Sequence, residues 1–485
     1  MTLSDFDVWY KTRYRRTSSA LTITAFIFSD LFAVLLTFAW GFFCVRVYGF
    51  IVNNGGVINT KSFITYWPYL PVFILFFQLH KLYPGLSLAP SEEMRRFFIS
   101  SMITYGGIMM SRLVEHQVWD SINTAFLISF AFSTIILLTA RSLTYWVLFK
   151  TKLGGIPAVI YGSGNTGKKV ADCLLSSIRS GYKPVLILDD NPLDSEYKNI
   201  PIIHDTSIGY EIVNRYKIKV AIVAMPSLDT KRLKHLLSTS ISAFRYNIII
   251  PNFFDLSSIW MSVREFNGIL GIDISNKLKL KWNLAIKRFM DLAIVIFGLL
   301  ITLPFFPLIA LLVKISSPGP IFHKCRRLGR NGQVFFVYKF RTMVIDAEQR
   351  LHDLLESDPA LKKQWDETSK LQNDPRITGI GKFLRRTSID EIPQFINILK
   401  GEMSLIGPRP FENDDLTKYG EDDYNRVFSI KPGLSGLWQV SGRSDANFNE
   451  RVAYDAYYLQ SWSVWLDLWI IFKTFGVVIL GKGAY

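Results

Sequence analysis

Long apolar runs crowd the first 150 residues. Four of them, at roughly 20–45, 63–82, 97–114 and 122–149, approach the ~20 residues an α-helix needs to cross hydrocarbon. Basic residues cluster ahead of the first (Lys11, Arg13, Arg15, Arg16), between the second and third (Lys81, Arg95, Arg96) and after the fourth (Lys150, Lys152). The loops at 46–61 and 115–121 are poorer in Lys and Arg. By the positive-inside rule, both ends of this bundle face the cytoplasm.

Past residue 150 the pattern shortens. IPAVIYG, KPVLILDD, KVAIVAM and FRYNIIIP predict short buried strands, separated by helical stretches such as KKVADCLLSSI and TKRLKHLLSTSI. Strands alternating with helices predict a parallel, doubly wound sheet. Gly162, Gly164 and Gly167 follow the first strand and open a helix, the place of a nucleotide-binding loop. Asp189 and Asp190 end the second strand, late for a ribose contact, and no tyrosine is followed four positions on by lysine. A structural or regulatory module and a nucleotide-binding one both fit.

Residues 287–320 are apolar again but broken by Pro304 and Pro307. Each proline removes a backbone donor and clashes with the preceding turn, which predicts a sharp kink. Lys287 and Arg288 stand before the run; Lys314, Lys324, Arg326, Arg327 and Arg330 stand after it. Both flanks carry the cytoplasmic signature and neither half spans alone, which predicts a re-entrant helix over a kinked ordinary span. Beyond it GQVFFVYKF predicts a strand, DAEQRLHDLLESDPALKKQW a charged helix, and YDAYYLQSWSVWLDLWIIFKTF a tail suited to a headgroup boundary. The predicted architecture is a membrane protein: an N-terminal four-helix transmembrane bundle (1–150), a central α/β Rossmann-like cytoplasmic domain (151–280), a re-entrant helix with linker (281–320) and a C-terminal α/β catalytic domain (321–485).

Composition agrees with a bilayer partner. The 485 residues include 14% aromatics, and the mean hydropathy is +0.21. A net charge of +15 calls for an anionic partner, and the apolar spans favour an acidic leaflet or phosphorylated substrate over nucleic acid. Cys44, Cys173 and Cys325 are too scattered for a disulfide framework or a zinc site, and no two of the six histidines lie three to five residues apart.

The polar chemistry gathers in RRTSIDEIPQFINILKGEMSLIGPRP, where Asp390 and Glu391 stand side by side. Ser388 and Glu391 fit an S-x-x-E capping box, and Pro393 sets the helix start near Asp390, so capping alone accounts for the acids. Cations nearby offer another role. Lys339 and Arg341 lie in YKFRTM, Arg376 in NDPRITGIG, Arg409 in GPRP and Arg443 in PGLSGLWQVSGR. Converging guanidinium groups suit a diphosphate. Beside one, a carboxylate can attack phosphorus to form an acyl phosphate, and its neighbour can hold Mg²⁺ against the phosphate oxygens.

Through KFRTM, DPRITGIGKFLRRTSIDEIPQ, LKGEMSLIGPRP and PGLSGLWQVSGR, in that order over about 285–485, the chain resembles the bacterial polyprenyl-phosphate sugar-1-phosphate transferases, or monotopic phosphoglycosyl transferases. The bundle and Rossmann-like module ahead of this stretch resemble the long form. The resemblance implies Asp390 as nucleophile and Glu391 as its Mg²⁺-associated partner. It implies Lys339, Arg341 and Arg409 near the substrate phosphates, with Arg376, Arg443 and Asp455 assisting. It further implies transfer of a hexose-1-phosphate from a UDP-sugar donor to undecaprenyl phosphate with release of UMP, as the first membrane step of O-antigen or another surface polysaccharide. Galactose-1-phosphate from UDP-galactose is the first expectation and UDP-glucose the alternative. A homodimer in the bacterial inner membrane, catalytic domain towards the cytoplasm, is implied as well. One departure is Leu303-Pro304, where relatives often carry Ser-Pro; Thr302 is the candidate substitute. Two rivals remain: a membrane-tethered NAD(P)-dependent sugar-nucleotide oxidoreductase and a non-catalytic assembly scaffold.

Overall fold

The computed structural model describes residues 3–14, 19–51, 65–83, 88–151, 154–176, 181–192, 194–250, 261–266, 269–274, 278, 280–358, 361–362, 365, 371, 374–411, 427–441 and 448–480. Two compact units divide between Phe254 and Asp255.

The first unit opens with α1 (Leu3–Tyr14), then α2 (Ser19–Ile51), α3 (Leu70–Leu79), α4 (Pro90–His116) and α5 (Ser121–Lys150). Among the described residues, Ala20–Ile51, Pro90–His116 and Ser121–Leu148 are long and apolar enough to cross a membrane, whereas Trp67–Leu79 is shorter. Aromatic rings knit these helices: Phe38 meets Phe73, Tyr105 and Phe126 edge to face at 5.4–5.8 Å. One ionic cluster is sealed inside. Arg141, fully buried, donates to both oxygens of Asp30, at 3.3 and 2.6 Å, and to the Leu82 carbonyl, with Glu93 at 3.5 Å. A buried charge needs such partners, and this one joins residues 111 positions apart.

A doubly wound sheet follows: β1 (Ile156–Tyr161), α6 (Asn165–Ser176), β2 (Tyr182–Leu188), β3 (Glu196–Tyr197), β4 (Ile200–Ile203), α7 (Gly209–Tyr216), β5 (Val220–Val223), α8 (Thr230–Ser238) and β6 (Tyr246–Ile249). The strand order is β3-β4-β2-β1-β5-β6, parallel throughout except for the β3–β4 pair. The order reverses beside β1, the position where such sheets open a crevice. The buried face of α1 seals this core: Phe6 is fully buried, its ring 5.0 Å from that of Tyr216.

The second unit begins with an antiparallel hairpin, β7 (Met261–Phe266) and β8 (Ile269–Ile274), which the 151–280 boundary read from the sequence had joined to the Rossmann-like module. Then come α9 (Lys281–Thr302), a 3-10 turn over Leu303–Phe305, and α10 (Phe306–Ser316). The turn sits at the prolines, and the Thr302 hydroxyl donates to the Gly298 carbonyl at 2.8 Å just before it. Both halves pack on the same domain. Arg288 of α9 donates to the carbonyls of Ile398 and Leu399, and Gly298 lies so close to Phe395 that a Cβ there would sit 3.0 Å from the ring. On the other half, the Phe306 ring is 5.3 Å from Phe340, and Val313 is buried with Phe340 and Leu384. The remaining faces stay bare: Phe297, Leu300, Leu308 and Ile315 are each more than half exposed.

The globular part has β9 (Phe322–Leu328) and β10 (Val334–Phe340) as an antiparallel hairpin, α11 (Ala347–Ser357), α12 (Gly379–Arg386), α13 (Phe395–Lys400), β11 (Ser404–Ile406), β12 (Gly433–Ser435), α14 (Leu437–Ser441), α15 (Phe448–Ser461) and α16 (Val464–Leu480). Its core joins Val295 of α9 to Val337, Ile398, Met403, Trp462 and Ile470.

Candidate active site

Two backbone features build the site. The first is a 3-10 turn over Ile389–Gln394, linking α12 to α13. Here the capping expectation fails. Ser388 adopts a left-handed conformation (φ 56°) and its side chain makes no cap bond. The Glu391 carboxylate instead reaches across to β10, where Lys339 Nζ donates to Oε1 at 2.6 Å. Asn397 fixes that approach, accepting from the Tyr338 amide and donating to the Phe336 carbonyl, which pins β10 to α13.

Asp390 is buried, 8% exposed, beside this pair. Burial, then the Glu391 charge, pushes its carboxyl up to about 6, against the opposing pull of Lys339 and Arg385. Arg385 donates to the Thr342 hydroxyl at 2.9 Å, and Asp390 and Asp374 both act on its guanidinium.

The second feature is a seam of main chain. β11 and β12 run parallel, and Gly407, Gly433 and Gly436 let their following loops touch backbone to backbone. A Cβ on Gly433 would stand 2.1 Å from the Gly407 nitrogen, and one on Gly436 would stand 2.5 Å from the Gly407 oxygen. Arg409 follows β11 on the loop beyond Gly407, and Gln439 follows β12 on α14.

These features meet around one pocket, lined by Lys339, Glu391, Arg409, Arg327, Cys325 and Gln439 among others. Arg327, Cys325 and Gln439 were not among the site residues expected from the sequence. Two of them had a signal: in FHKCRRL, alternate positions place Cys325 and Arg327 on one face, opposite Val337 and Phe335.

Of the other sequence candidates, Asp390, Arg341, Arg376 and Asp455 are not among the residues that line this pocket. Arg341 donates to the carbonyls of Ser317 and Pro318, closing the turn after α10. Arg376 folds onto Asp374 through two of its nitrogens. Asp455 is 2% exposed on α15, and burial pushes its carboxyl up to about 8. Arg443 lies outside the described residues. In the first unit, Gly162 takes φ +105°, Gly164 faces open space, and a Cβ on Gly167 would meet the Gly162 oxygen at 1.9 Å. Asp189, at the strand end, accepts from the Ser163 amide and hydroxyl at 2.6 and 2.7 Å and from the Asn191 amide. It thus braces the glycine loop.

Residues 282–481 match the family model described as bacterial sugar transferase, and residues 86–242 match one described as a CoA-binding domain. The chain is 34% identical over 377 residues to the undecaprenyl-phosphate galactose phosphotransferase of Salmonella typhimurium, covering 77% of this chain and 78% of the relative. It is 32% identical over 402 residues to the UDP-galactose-lipid carrier transferase of Erwinia amylovora, covering 81% and 82%. Over 276 residues it is 34% identical to the UDP-glucose:undecaprenyl-phosphate glucose-1-phosphate transferase of Escherichia coli, 56% of each chain. The chain therefore belongs to the polyprenyl-phosphate sugar-1-phosphate transferases. It is a transferase enzyme with apolar, membrane-type helices.

Proposed function

We propose that this enzyme transfers a hexose-1-phosphate from a UDP sugar to undecaprenyl phosphate, through a covalent intermediate on Asp390. UDP-galactose is the first donor to test and UDP-glucose the second, because relatives named for each are similar to this chain. The observation that carries the mechanism is the buried Asp390 carboxyl beside the Lys339–Glu391 pair, in a turn where neither acid serves as a helix cap.

In the first step an Asp390 oxygen attacks the phosphorus bearing the sugar. The phosphoanhydride bond to UMP breaks, UMP leaves with its electron pair, and an acyl phosphate remains. In the second step an oxygen of undecaprenyl phosphate attacks the same phosphorus. The Asp390 carboxylate is released and a lipid diphosphate sugar forms. Lys339, Arg327 and Arg409 line the pocket and offset phosphate charge during both steps. Among the described residues no group of three or more His, Cys, Asp and Glu forms a metal cage. Mg²⁺ is ordinarily held by one or two carboxylates together with substrate phosphates, so Glu391 beside Asp390 fits it. When bound, Mg²⁺ supplies charge neutralisation on the diphosphate, with Glu391 as the residue holding it.

A re-entrant course for α9 and α10 accords with this reading. A straight helix of the 36 residues from Lys281 to Ser316 would be about 54 Å long, whereas both halves here pack on one domain. The site then lies on the cytoplasmic side of the inner membrane, where UDP sugars from water meet the lipid acceptor.

The deciding experiment is UMP release from UDP-galactose and UDP-glucose, with and without undecaprenyl phosphate. A single stoichiometric burst without acceptor and sustained turnover with it are expected, both lost in Asp390→Asn. Full activity in that variant, or a trapped phosphosugar mapped to another residue, overturns the mechanism.

A further inference from the structure

Arg409 reaches the pocket from the loop that continues β11, a strand with a neighbour on one edge only. Ser404 and Ile406 pair with β12, so the Leu405 amide between them points off the open edge. Leu405 is buried, and a buried amide needs an acceptor. The acceptor comes from the membrane-type helix α9. Asp291 Oδ1 takes the Leu405 amide at 3.2 Å, and Oδ2 takes the Ser404 hydroxyl at 2.7 Å. Asp291 is 5% exposed, so water does not compete for these bonds.

The same stretch of α9 holds the other half of the site. Arg288, three positions before Asp291, donates to the Ile398 and Leu399 carbonyls of α13, which continues the turn bearing Asp390 and Glu391. Residues three apart share a helix face, so one turn of α9 brackets both pieces. The glycine seam fixes β11 against β12, but it does not fix that pair against the acidic turn. α9 does, and it is itself anchored: Lys287 bonds to Asp467, and the Tyr458 hydroxyl sits between Asp467 at 2.7 Å and the Ile406 carbonyl at 3.1 Å. Past Arg409, the Phe411 carbonyl accepts from the Leu328 amide of β9 at 2.9 Å. The segment 404–411 is thus tied at both ends, with Arg409 between.

We propose that Asp291 is a positioning residue for the transferase reaction: by holding the open edge of β11, it sets Arg409 against the Asp390–Glu391 turn. This rests on the UDP-sugar reading above, in which Arg409 meets the donor phosphates and Asp390 attacks.

The test measures UMP release in nanodiscs by wild type, Asp291→Ala, Asp291→Asn, Arg409→Met, and Asp291→Ala combined with Arg409→Met. Burst amplitude without acceptor counts active sites, and kcat/KM is expressed per active site. Asp291→Ala is expected to lower it about 10- to 100-fold, the cost of a small misplacement at a reacting centre. Asp291→Asn keeps an oxygen for the Leu405 amide and an N–H for the Ser404 oxygen, and should stay close to wild type. In the Arg409→Met background the Asp291→Ala loss should all but vanish, because a residue acting through another is not additive with it. Should Asp291→Ala not fold, Ser404→Ala breaks one of the same two bonds and enters the same cycle, with a smaller loss that also disappears beside Arg409→Met. Additive losses overturn the inference. So does an alanine variant that loses burst amplitude alone, as a purely structural role requires, or an asparagine variant as impaired as the alanine one. Absence of UMP release by wild type from either UDP sugar would instead refute the underlying reaction.

Discussion

Lys287 Nζ lies 2.7 Å from Asp467 Oδ2, joining α9 to α16 across 180 positions of sequence, and both side chains are less than a tenth exposed. Asp467 also accepts from the Tyr458 hydroxyl at 2.7 Å and the Trp462 indole at 3.1 Å. Breaking a buried pair from one side strands the other charge, at about 3–5 kcal/mol. Lys287→Met is therefore expected to lower thermal stability in nanodiscs sharply, and Lys287→Met with Asp467→Leu less than the two single changes summed. A strictly additive double-mutant cycle would show that the two groups do not interact.

Asp390 gives a prediction of opposite sign. Its carboxyl is raised from 3.8 to about 6 in the folded protein, about 3 kcal/mol of preference for the protonated form. Between those values the folded state binds more protons than the unfolded, so stability falls as pH rises from about 4 to about 6 and is then level. Asp390→Asn removes that penalty. It should melt above wild type at pH 7.5, with the gap narrowing towards pH 5. Equal melting at both pH values would refute burial as the cause.

The same group should set the acid limb of activity. On the proposed mechanism only the carboxylate attacks phosphorus, so kcat/KM is expected to fall below about pH 6. Arg385 favours the charged form of Asp390, while Glu391 opposes it. Arg385→Met should move the limb to higher pH, visible in a pH profile of UMP release. A limb that stays in place would separate Arg385 from the nucleophile.

In the first unit Asp189 is the bracket of the glycine loop. Burial pushes its carboxyl up, but hydrogen bonds from Ser163 and Asn191 hold it below the ordinary value. Asp189→Ala leaves the Ser163 amide unsatisfied, and a stability loss of about 1–3 kcal/mol is expected. Faster proteolysis within residues 154–250, with transferase activity of the catalytic unit retained, would register it.

Strands buried on both faces were readable because they are short unbroken apolar runs, as in IPAVIYG and KVAIVAM. β9 was not, because FHKCRRL carries three adjacent positive positions about a cysteine and becomes a strand by pairing with β10. At the site, the adjacency of Asp390 and Glu391 was plain, but their geometry was not. S-x-x-E promises a cap, and only the left-handed Ser388 and the reach of Glu391 to Lys339 show otherwise. Arg341 and Arg376 resembled phosphate ligands in sequence; their guanidinium groups bond to main-chain carbonyls and to Asp374, partners fixed by tertiary packing and by a two-residue spacing in DPR.

The glycine seam bears on how such enzymes diversify. Where Gly407, Gly433 and Gly436 meet, main chain touches main chain with no room for an added carbon, and only Gly433 of the three borders the pocket, so mutation there damages the scaffold before it can alter selectivity. Change in what the pocket admits is left to its side-chain walls, at positions such as Leu434, while the seam stays frozen.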